Sequence, residues 1–151
     1  MTIRQATLAD IDAMIEAGAA MHAESPRFQR MPYAPSKVRN MLTSLIDSPR
    51  GFVMVAEHGA VLEGGMVGAA SEHWACDALV AFDIALFVLP DRRGGIAAAR
   101  LLKAFAAWCK EQGAVIATAG ISTQVHPDQS GALYRALGFK EIGPVVDVLG
   151  E

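Results

Sequence analysis

The chain has 151 residues, of which 52% are hydrophobic, and this is enough apolar surface for one domain with its own core. Thirteen Lys and Arg against sixteen Asp and Glu give a net charge of −3, so no basic excess favours nucleic acid as a partner. The longest stretch without Asp, Glu, Lys or Arg, 112–127, still contains Gln, Ser, Thr and His, which argues against a membrane-spanning helix. We therefore expect a single domain, 1–151, without a nucleic-acid or membrane partner.

The N-terminal residues and the cysteines indicate the compartment. Residues 1–16 contain one arginine, Arg4, but not the apolar segment that follows it in a secretory signal. Cys76 and Cys109 lie far apart in the sequence and lack the neighbours of a zinc site or a redox pair. We expect a cytoplasmic protein with reduced thiols and no bound metal.

The first third of the chain predicts one strand and two helices. Residues 2–6 are typical of a short strand, and Thr7 with Asp10 forms a capping-box pattern for a helix that begins near Ala9. A second helix follows Ser36. The connection between the helices, 24–35, contains three prolines, and such a connection can wall a pocket.

The middle of the chain predicts β-structure. Residues 52–57 and 61–74 read as a hairpin around a His58-Gly59 turn, with glycines in the second strand that indicate a bulge or bend. Residues 79–89 form the most apolar run of the sequence and predict a central strand, in which Asp83 is the only charged residue.

The last third predicts two helices and three strands. A helix over 96–112 ends at Gly113, a second buried strand covers 114–121, and Asp128 or Ser130 caps a helix that runs to Leu137. Two short β segments fill 139–149. The order βααβββαβαββ predicts an α/β (α+β) fold in which helices cover both faces of one sheet.

The segment 88–97, VLPDRRGGIA, carries the most chemical information, because a buried strand turns through glycines directly into a helix. The first N–H groups of a helix lack intrahelical acceptors, and glycines let a diphosphate approach the backbone. Arg92 and Arg93 place positive charge beside this turn. The sequence lacks GxxxxGK[ST] and does not fit GxGxxG; a tight connection with solvated arginines is the structural alternative.

At these residues the sequence resembles the GNAT superfamily of N-acetyltransferases, whose acetyl-CoA motif is Arg or Gln, two residues, Gly, one residue, then Gly or Ala. Arg92, Gly95 and Ala97 fit that motif. LYRALGF, 133–139, is similar to the family's second signature, and TIRQATLADIDAM, 2–14, is similar to its first strand and helix. The resemblance covers nearly the whole chain and implies a GNAT-like mixed central sheet.

The resemblance implies that acetyl-CoA binds between the strands that begin at Leu79 and Ala114. Main-chain groups around Leu86 and Val88 would pair with the pantetheine amides. The pyrophosphate would lie on the turn after Arg92, held by the backbone N–H groups of Arg93, Gly94, Gly95, Ile96 and Ala97. The sequence departs from the family at Pro127, where many members have asparagine.

Acetyl transfer to an amine needs a base, oxyanion stabilisation and a proton for the departing thiolate. By resemblance, Tyr134 is the general acid, and its role needs a lowered pKa or only partial proton transfer; a tyrosine packed in the core is the alternative. Asp83 is the first candidate for the base because burial in its strand would raise its pKa. Glu72 is the second, and an edge carboxylate or ion pair is the structural alternative for Asp83.

These observations predict an N-acetyltransferase that moves an acetyl group directly from acetyl-CoA to a primary amine of a small molecule or peptide. A CoA-binding regulatory or assembly module without turnover is the alternative, and a structural domain without cofactor is a third reading. By resemblance, the first helical connection borders the acceptor side, so Arg27, Arg30 or Arg50 could meet an acidic group on the acceptor; solvated arginines are the alternative. Edge strands in the C-terminal segment could support a homodimer.

Overall fold

The structure, a computed structural model, describes residues 1–121, 123 and 125–150. Its strands are β1 (Thr2–Gln5), β2 (Gly51–His58), β3 (Val61–Glu72), β4 (Leu79–Val88) and β5 (Ile116–Thr118). Its α-helices are α1 (Ile11–Glu24), α2 (Pro35–Ile46), α3 (Ala97–Glu111) and α4 (Pro127–Ala136). The strands form one sheet in the order β1-β2-β3-β4-β5, antiparallel except for the parallel pair β4–β5. This mixed α+β sheet confirms the predicted fold class.

Helices cover both faces of the sheet, as predicted. On one face, Val53 and Val55 of β2 pack with apolar residues of α1 and α2. On the other, Phe52 of β2 packs with α3, whose Leu101 and Leu102 are fully buried. Neighbouring β2 residues enter different cores because successive side chains of a strand point to opposite faces.

The glycines of β3 allow close packing. A Cβ at Gly65 would lie 2.7 Å from the Phe87 ring, and one at Gly68 would lie 2.7 Å from the Phe105 ring. The pairing of β3 with β2 skips Glu63 beside Gly64, which confirms the bulge predicted in this strand. The pairing of β3 with β4 also shifts register between Val67 and Gly68, and there Ile84 of β4 is the extra residue, next to Asp83.

Two predictions for the C-terminal third are wrong. The strand predicted over 114–121 is only three residues long, and Ile116 in it is 54% exposed because β5 lies at the sheet edge. No strand forms in the described residues after α4, so the two β segments predicted over 139–149 are absent. The valines and isoleucines of 139–149 have a high strand propensity, but a strand also needs a neighbouring strand to pair with. The only edge on this side of the sheet is β5, which is too short to pair with two further segments.

The start of α4 also differs from the prediction. The residue before the helix is His126, in a left-handed conformation with φ 45°, and Pro127 is the first helical residue. Neither Asp128 nor Ser130 caps the helix. Proline suits this position because it lacks the N–H that would be unpaired there and its φ is already helical. In the described part of the chain, no helix is both long enough and apolar enough to cross a membrane.

The predicted capping box at the first helix is present and belongs to a charged network. The Thr7 N–H donates to Asp10 Oδ2 at 2.7 Å, and Arg4 donates to Asp10 at 2.8 Å and to Glu57 at 2.9 Å. The Arg4 hydrogen bonds lower the pKa of Asp10 to about 2. This network joins β1, β2 and the start of α1.

We expect Asp10→Asn to destabilise the fold by about 1–2 kcal/mol at neutral pH, because the amide keeps a capping acceptor but loses the charge. Since the folded pKa of Asp10 lies below its ordinary value of 3.8, this stability is present above about pH 4 and disappears as pH falls through the folded pKa. Urea unfolding at several pH values measures it. Asp12→Asn, in a pair whose Asp12 side chain is 81% exposed, is the control and should change stability little; equal losses would contradict the assignment.

Candidate active site

The sheet opens where β4 and β5 separate. Their pairing covers only Val80–Ile116, Ala81–Ala117 and Phe82–Thr118, so the rest of β4 runs to Val88 without pairing to β5. A cavity of about 520 Å³ opens beside this stretch, bounded by the end of α1, the turn before α3 and one face of α4 from Gln129 to Tyr134. Its volume is in the range of pockets that enclose small-molecule ligands.

The turn before α3 provides one end of this cavity. Gly94 has φ 85°, a conformation that glycine adopts without strain. The Arg100 N–H makes a bond to Ile96 O at 3.0 Å at the start of α3, and the N–H groups that precede it are the ones a helix leaves without intrahelical acceptors. The wall includes seven of the predicted cofactor residues: Leu86, Val88, Arg92, Arg93, Gly94, Gly95 and Ala97. Ile96 is not in the wall, and it is 61% exposed.

Both arginines of the turn, which the sequence predicted to add positive charge beside it, are paired with carboxylates. Arg93 holds both carboxylate oxygens of Glu24 at the end of α1, at 2.5 and 2.6 Å, and also donates to Val88 O. Arg92 lies 3.7 Å from Glu63. With both arginines paired, the main-chain N–H groups and the helix dipole are the features of this turn that are best suited to an anion.

Asp83 and Tyr134 meet through the backbone of Gly120. The Gly120 N–H donates to the Asp83 carboxylate at 3.2 and 3.3 Å, and the Tyr134 hydroxyl donates to Gly120 O at 3.2 Å. Asp83 comes from β4, Tyr134 from α4 and Gly120 from the segment after β5. The separation of β4 from β5 therefore brings the two predicted catalytic residues to a single residue, Gly120.

The environment shifts the pKa of both groups upward. Burial raises the pKa of Asp83, and the hydrogen bond from the Gly120 N–H partly offsets this effect. Burial, with a contribution from the negative charge of Asp83, raises the pKa of Tyr134 to about 12. A carboxylate with a raised pKa is a stronger base, whereas the tyrosine keeps its proton at neutral pH. Full proton transfer from Tyr134 would need a lowered pKa, whereas the pKa of Tyr134 is raised. Of the two predicted possibilities, only partial proton transfer is compatible with this environment.

A smaller cavity of about 80 Å³ lies next to the large one. It contacts Asp83 and Gly120, and it shares Tyr134 with the large cavity. The residues common to both walls are Met21, Leu86, Thr123, Ser130 and Tyr134. Tyr134 therefore lies at the junction of two cavities, and Asp83 lines the smaller one.

Glu72 is not brought to this junction. It is the exposed last residue of β3 and pairs with Leu79, whereas Asp83 pairs with Gly68. Four residues of strand separate Gly68 from Glu72, which is roughly 13 Å at about 3.3 Å per residue. The geometry thus favours Asp83 over Glu72 as the candidate base.

The structure adds wall residues that the sequence reasoning did not identify. Ser130 lies four residues before Tyr134 on α4, so helical periodicity could have placed it on the same face. Glu24 and His126 also line the large cavity, but no local pattern marks either one. In the described part of the chain, no group of three or more His, Cys, Asp or Glu side chains is arranged to hold a metal ion.

Comparison with known structures supports this arrangement at the level of the fold. A transcriptional regulator from Bacillus halodurans C-125 is 20% identical, with 97% of each chain covered and a TM-score of 0.78. The aminoglycoside N-acetyltransferase AAC(6')-Iy in complex with CoA is 19% identical, over 97% of this chain and 91% of that one, with a TM-score of 0.77. A ribosomal-protein-alanine N-acetyltransferase from Brucella melitensis biovar Abortus 2308 is 15% identical over 98% of each chain, with a TM-score of 0.70.

No curated protein sequence matches the chain. The acetyltransferase (GNAT) domain family, in contrast, matches residues 49–141, which include β2 to α4 and thus the turn before α3, Asp83 and Tyr134. This match covers more than half of the chain, and the resemblance predicted from the sequence is confirmed. The chain therefore belongs to the GNAT family of acetyltransferases.

Proposed function

We propose that the protein is an N-acetyltransferase that passes the acetyl group of acetyl-CoA directly to a primary amine of a small molecule or peptide. The observation that carries this proposal is the Asp83–Gly120–Tyr134 arrangement at the junction of the two cavities. A donor in the large cavity and an amine in the small one would meet beside a carboxylate and a tyrosine hydroxyl. These are the two side chains that the reaction needs.

Several features support acetyl-CoA as the donor. Beyond Phe82, β4 has no β5 partner on one edge, so main-chain groups on that edge can face the pantetheine amides. One of them, Val88 O, accepts a hydrogen bond from Arg93, and the turn before α3 has N–H groups for the pyrophosphate. The AAC(6')-Iy structure, which has the same fold, contains CoA. We assign Leu86 and Val88 to the pantetheine arm, and the turn from Arg92 to Ala97 to the pyrophosphate.

The proposed chemistry is one displacement at the thioester carbonyl. The Asp83 carboxylate accepts a proton from the ammonium form of the acceptor, and the neutral nitrogen attacks the carbonyl carbon. A C–N bond forms, the C–S bond breaks, and the electron pair leaves on sulfur. The new amide nitrogen loses a proton, the thiolate takes up one proton, and Asp83 returns its proton to solvent, so the products are the acetamide, the thiol of CoA and one proton.

Tyr134 stabilises the departing thiolate by donating a hydrogen bond. Full proton transfer from a hydroxyl of pKa about 12 to a thiolate of pKa about 8.5 would cost roughly 5 kcal/mol. A hydrogen bond avoids that cost. Once Asp83 has accepted the amine proton it is neutral, and the charge that helps to raise the pKa of Tyr134 is gone. Proton uptake at Asp83 therefore makes Tyr134 a better donor at the time when the thiolate forms.

Thiol release from acetyl-CoA in the presence of a panel of primary amines, with mass spectrometry of the products, tests the proposal. We expect release that depends on an amine and yields a product heavier by one acetyl group. Tight CoA binding without turnover of any amine would contradict the proposal and favour the CoA-binding module.

We expect Gly95→Val to weaken CoA binding at least 100-fold while the fold survives. A Cβ at Gly95 meets only Arg92 O at 3.7 Å, so the side chain fits the unliganded protein but occupies the space in front of the N–H groups. Arg92→Ala should have a smaller effect, because the turn binds mainly through its backbone. Isothermal titration calorimetry measures both. Ala107→Val, at an exposed position of α3, is the control, and CoA binding by Gly95→Val at parental affinity would contradict the assigned site.

We also propose that the protein works in the cytoplasm. Cys76 is exposed and Cys109 is buried, and both are free thiols. An exposed free thiol is typical of a reducing compartment.

We propose in addition that the protein is a homodimer through its C-terminal segment. Asp147 is held by Arg30 at 3.0 Å and by Arg27 at 3.3 Å, which fixes this segment against the connection between α1 and α2. Its apolar side chains nevertheless face solvent: Ile142, Val145, Val146, Val148 and Leu149 are 70–91% exposed. Such a patch is typical of an interface.

Light scattering tests this interface. We expect twice the 16.0 kDa mass of one chain, and Val146→Lys should reduce the mass to that of one chain. A parental protein that has the mass of one chain at micromolar concentration would contradict the proposed dimer.

A further inference from the structure

We propose that Ser25 is a positioning residue for the acceptor, because its buried hydroxyl joins two parts of the wall of the small cavity and thereby sets the affinity for the amine. This inference rests on the proposed function, since it concerns the acceptor side of the same site. Ser25 itself lines neither cavity. It acts through residues that do, and it is therefore not a catalytic residue.

The burial of Ser25 is exceptional for a polar side chain. Ser25 is the residue that follows α1, and its exposed fraction is 0%. In the part of the chain that the structure describes, it is the one polar residue that is buried. A buried hydroxyl needs hydrogen-bond partners within the protein, because it has lost those that water would supply.

The two partners of the hydroxyl come from segments that are distant in the sequence. Ser25 Oγ donates to Thr123 O at 2.6 Å and accepts a hydrogen bond from the Phe28 N–H at 3.1 Å. Phe28 belongs to the connection between α1 and α2, whereas Thr123, 98 residues from Ser25, belongs to the segment between β5 and α4. A hydroxyl suits this position because it can donate one hydrogen bond and accept another.

Both partners are wall residues of the small cavity. Phe28 and Thr123 line it together with the proposed catalytic residues. The Ser25 hydroxyl therefore fixes these two parts of the wall relative to each other. The hydrogen bonds at Gly120, which hold the catalytic residues, do not involve Ser25. Loss of the Ser25 hydroxyl should thus affect binding of the amine more than the chemical step.

The turn before α3 has support of its own. Its residue Arg93 donates to Val88 O at 3.1 Å and is paired with Glu24, and neither contact uses the Ser25 hydroxyl. Thr123 also lines the large cavity, but the N–H groups proposed for the pyrophosphate lie at the turn. We therefore expect a smaller effect of Ser25 on CoA binding than on amine binding.

Steady-state kinetics of Ser25→Ala and Ser25→Thr test the role. We expect Ser25→Ala to raise the KM for the amine about 10-fold and to change kcat and the KM for acetyl-CoA less than about 3-fold, because the Phe28 N–H and Thr123 O lose a buried partner. Ser25→Thr keeps the hydroxyl, and a branched side chain suits the extended backbone at this residue (φ −80°, ψ 119°). It should keep the amine KM near the parental value.

The probe amines are phenethylamine, kanamycin and a peptide with N-terminal alanine, and KM values are compared for the one that the parental protein acetylates with the highest kcat/KM. Ser48→Ala is the matched control. Ser48 lies two residues after α2, and its Oγ also accepts a backbone N–H, that of Arg50, at 3.1 Å. It is outside both cavities, so Ser48→Ala should leave the amine KM at the parental value.

Urea unfolding shows whether each variant is folded under the assay conditions. If Ser25→Ala does not fold, Ser25→Cys replaces it, because a thiol is a weaker donor and acceptor than a hydroxyl and should raise the amine KM in the same direction. A parental amine KM in the folded variant, or an equal rise in Ser48→Ala or Ser25→Thr, would overturn the inference and leave acetyl transfer intact. A parental protein that binds CoA but acetylates none of the probe amines would overturn the proposed function and this inference with it.

Discussion

Tyr134→Phe should lower turnover about 10²- to 10³-fold, the usual cost of removing one hydrogen-bond donor that stabilises developing negative charge, while the fold and the affinity for CoA survive. The change removes the hydroxyl that donates to Gly120 O but keeps the ring, which packs near Phe139 and the α3 core. Steady-state kinetics with a thiol-release assay, under conditions where chemistry limits the rate, measures the effect.

An acyl donor with a more acidic thiol distinguishes a catalytic role of Tyr134 from a role in packing. Such a thiol leaves with less assistance, so the loss in Tyr134→Phe should shrink with that donor. Tyr33→Phe is a matched control because the Tyr33 hydroxyl also donates to a backbone carbonyl, Ile15 O, at 2.7 Å, outside both cavities. Tyr33→Phe should change stability and leave turnover near the parental value. If Tyr134→Phe turns over at the parental rate, Tyr134 is a packing residue of the core and has no catalytic role.

Asp83→Asn should lower turnover at neutral pH by a comparable factor, because the amide is nearly isosteric but cannot accept the amine proton. CoA affinity should stay the same. In the parental protein, the rate should fall as pH falls through the Asp83 pKa, and burial places that step above the ordinary carboxyl value. The acid limb of the pH–rate profile should therefore be absent in Asp83→Asn.

Stability gives an independent readout for Asp83. Its folded pKa is raised, so the ionised carboxylate costs stability above that pKa, and Asp83→Asn should be at least as stable as the parent at neutral pH. Asp77→Asn, at an exposed residue outside both cavities, controls for the loss of a negative charge. An unchanged pH–rate profile in folded Asp83→Asn would assign proton removal to another group or to solvent.

The sequence predicts the fold well where local chemistry decides the structure. The capping box at Thr7 and the glycines of β3 require specific neighbours, and these neighbours are present. The C-terminal segment shows the limit, because its valines favour extended structure but a strand forms only with a partner edge. Strand length in β5 likewise depends on where β4 separates from it, which is a tertiary property.

The candidate site likewise has some features that the local sequence predicts and others that only the fold determines. The turn before α3 could be predicted because strand, glycines and helix are consecutive in the chain. The carboxylate partners of its arginines could not, because Glu24 is 69 residues from Arg93 in the sequence. Asp83 and Tyr134 are linked through Gly120, a residue with no motif of its own. Only the fold brings both side chains to that residue.

The structure of the protein with CoA bound tests the central claim most directly, because that claim is a placement of the reacting atoms. We predict the pyrophosphate on the N–H groups between Arg93 and Ala97, the pantetheine arm along β4 beyond Phe82, and the sulfur within hydrogen-bond reach of the Tyr134 hydroxyl. Asp83 should face the sulfur from the side of the small cavity. A sulfur atom that lies away from both Tyr134 and Asp83, with the pyrophosphate bound elsewhere than the turn before α3, would contradict the account.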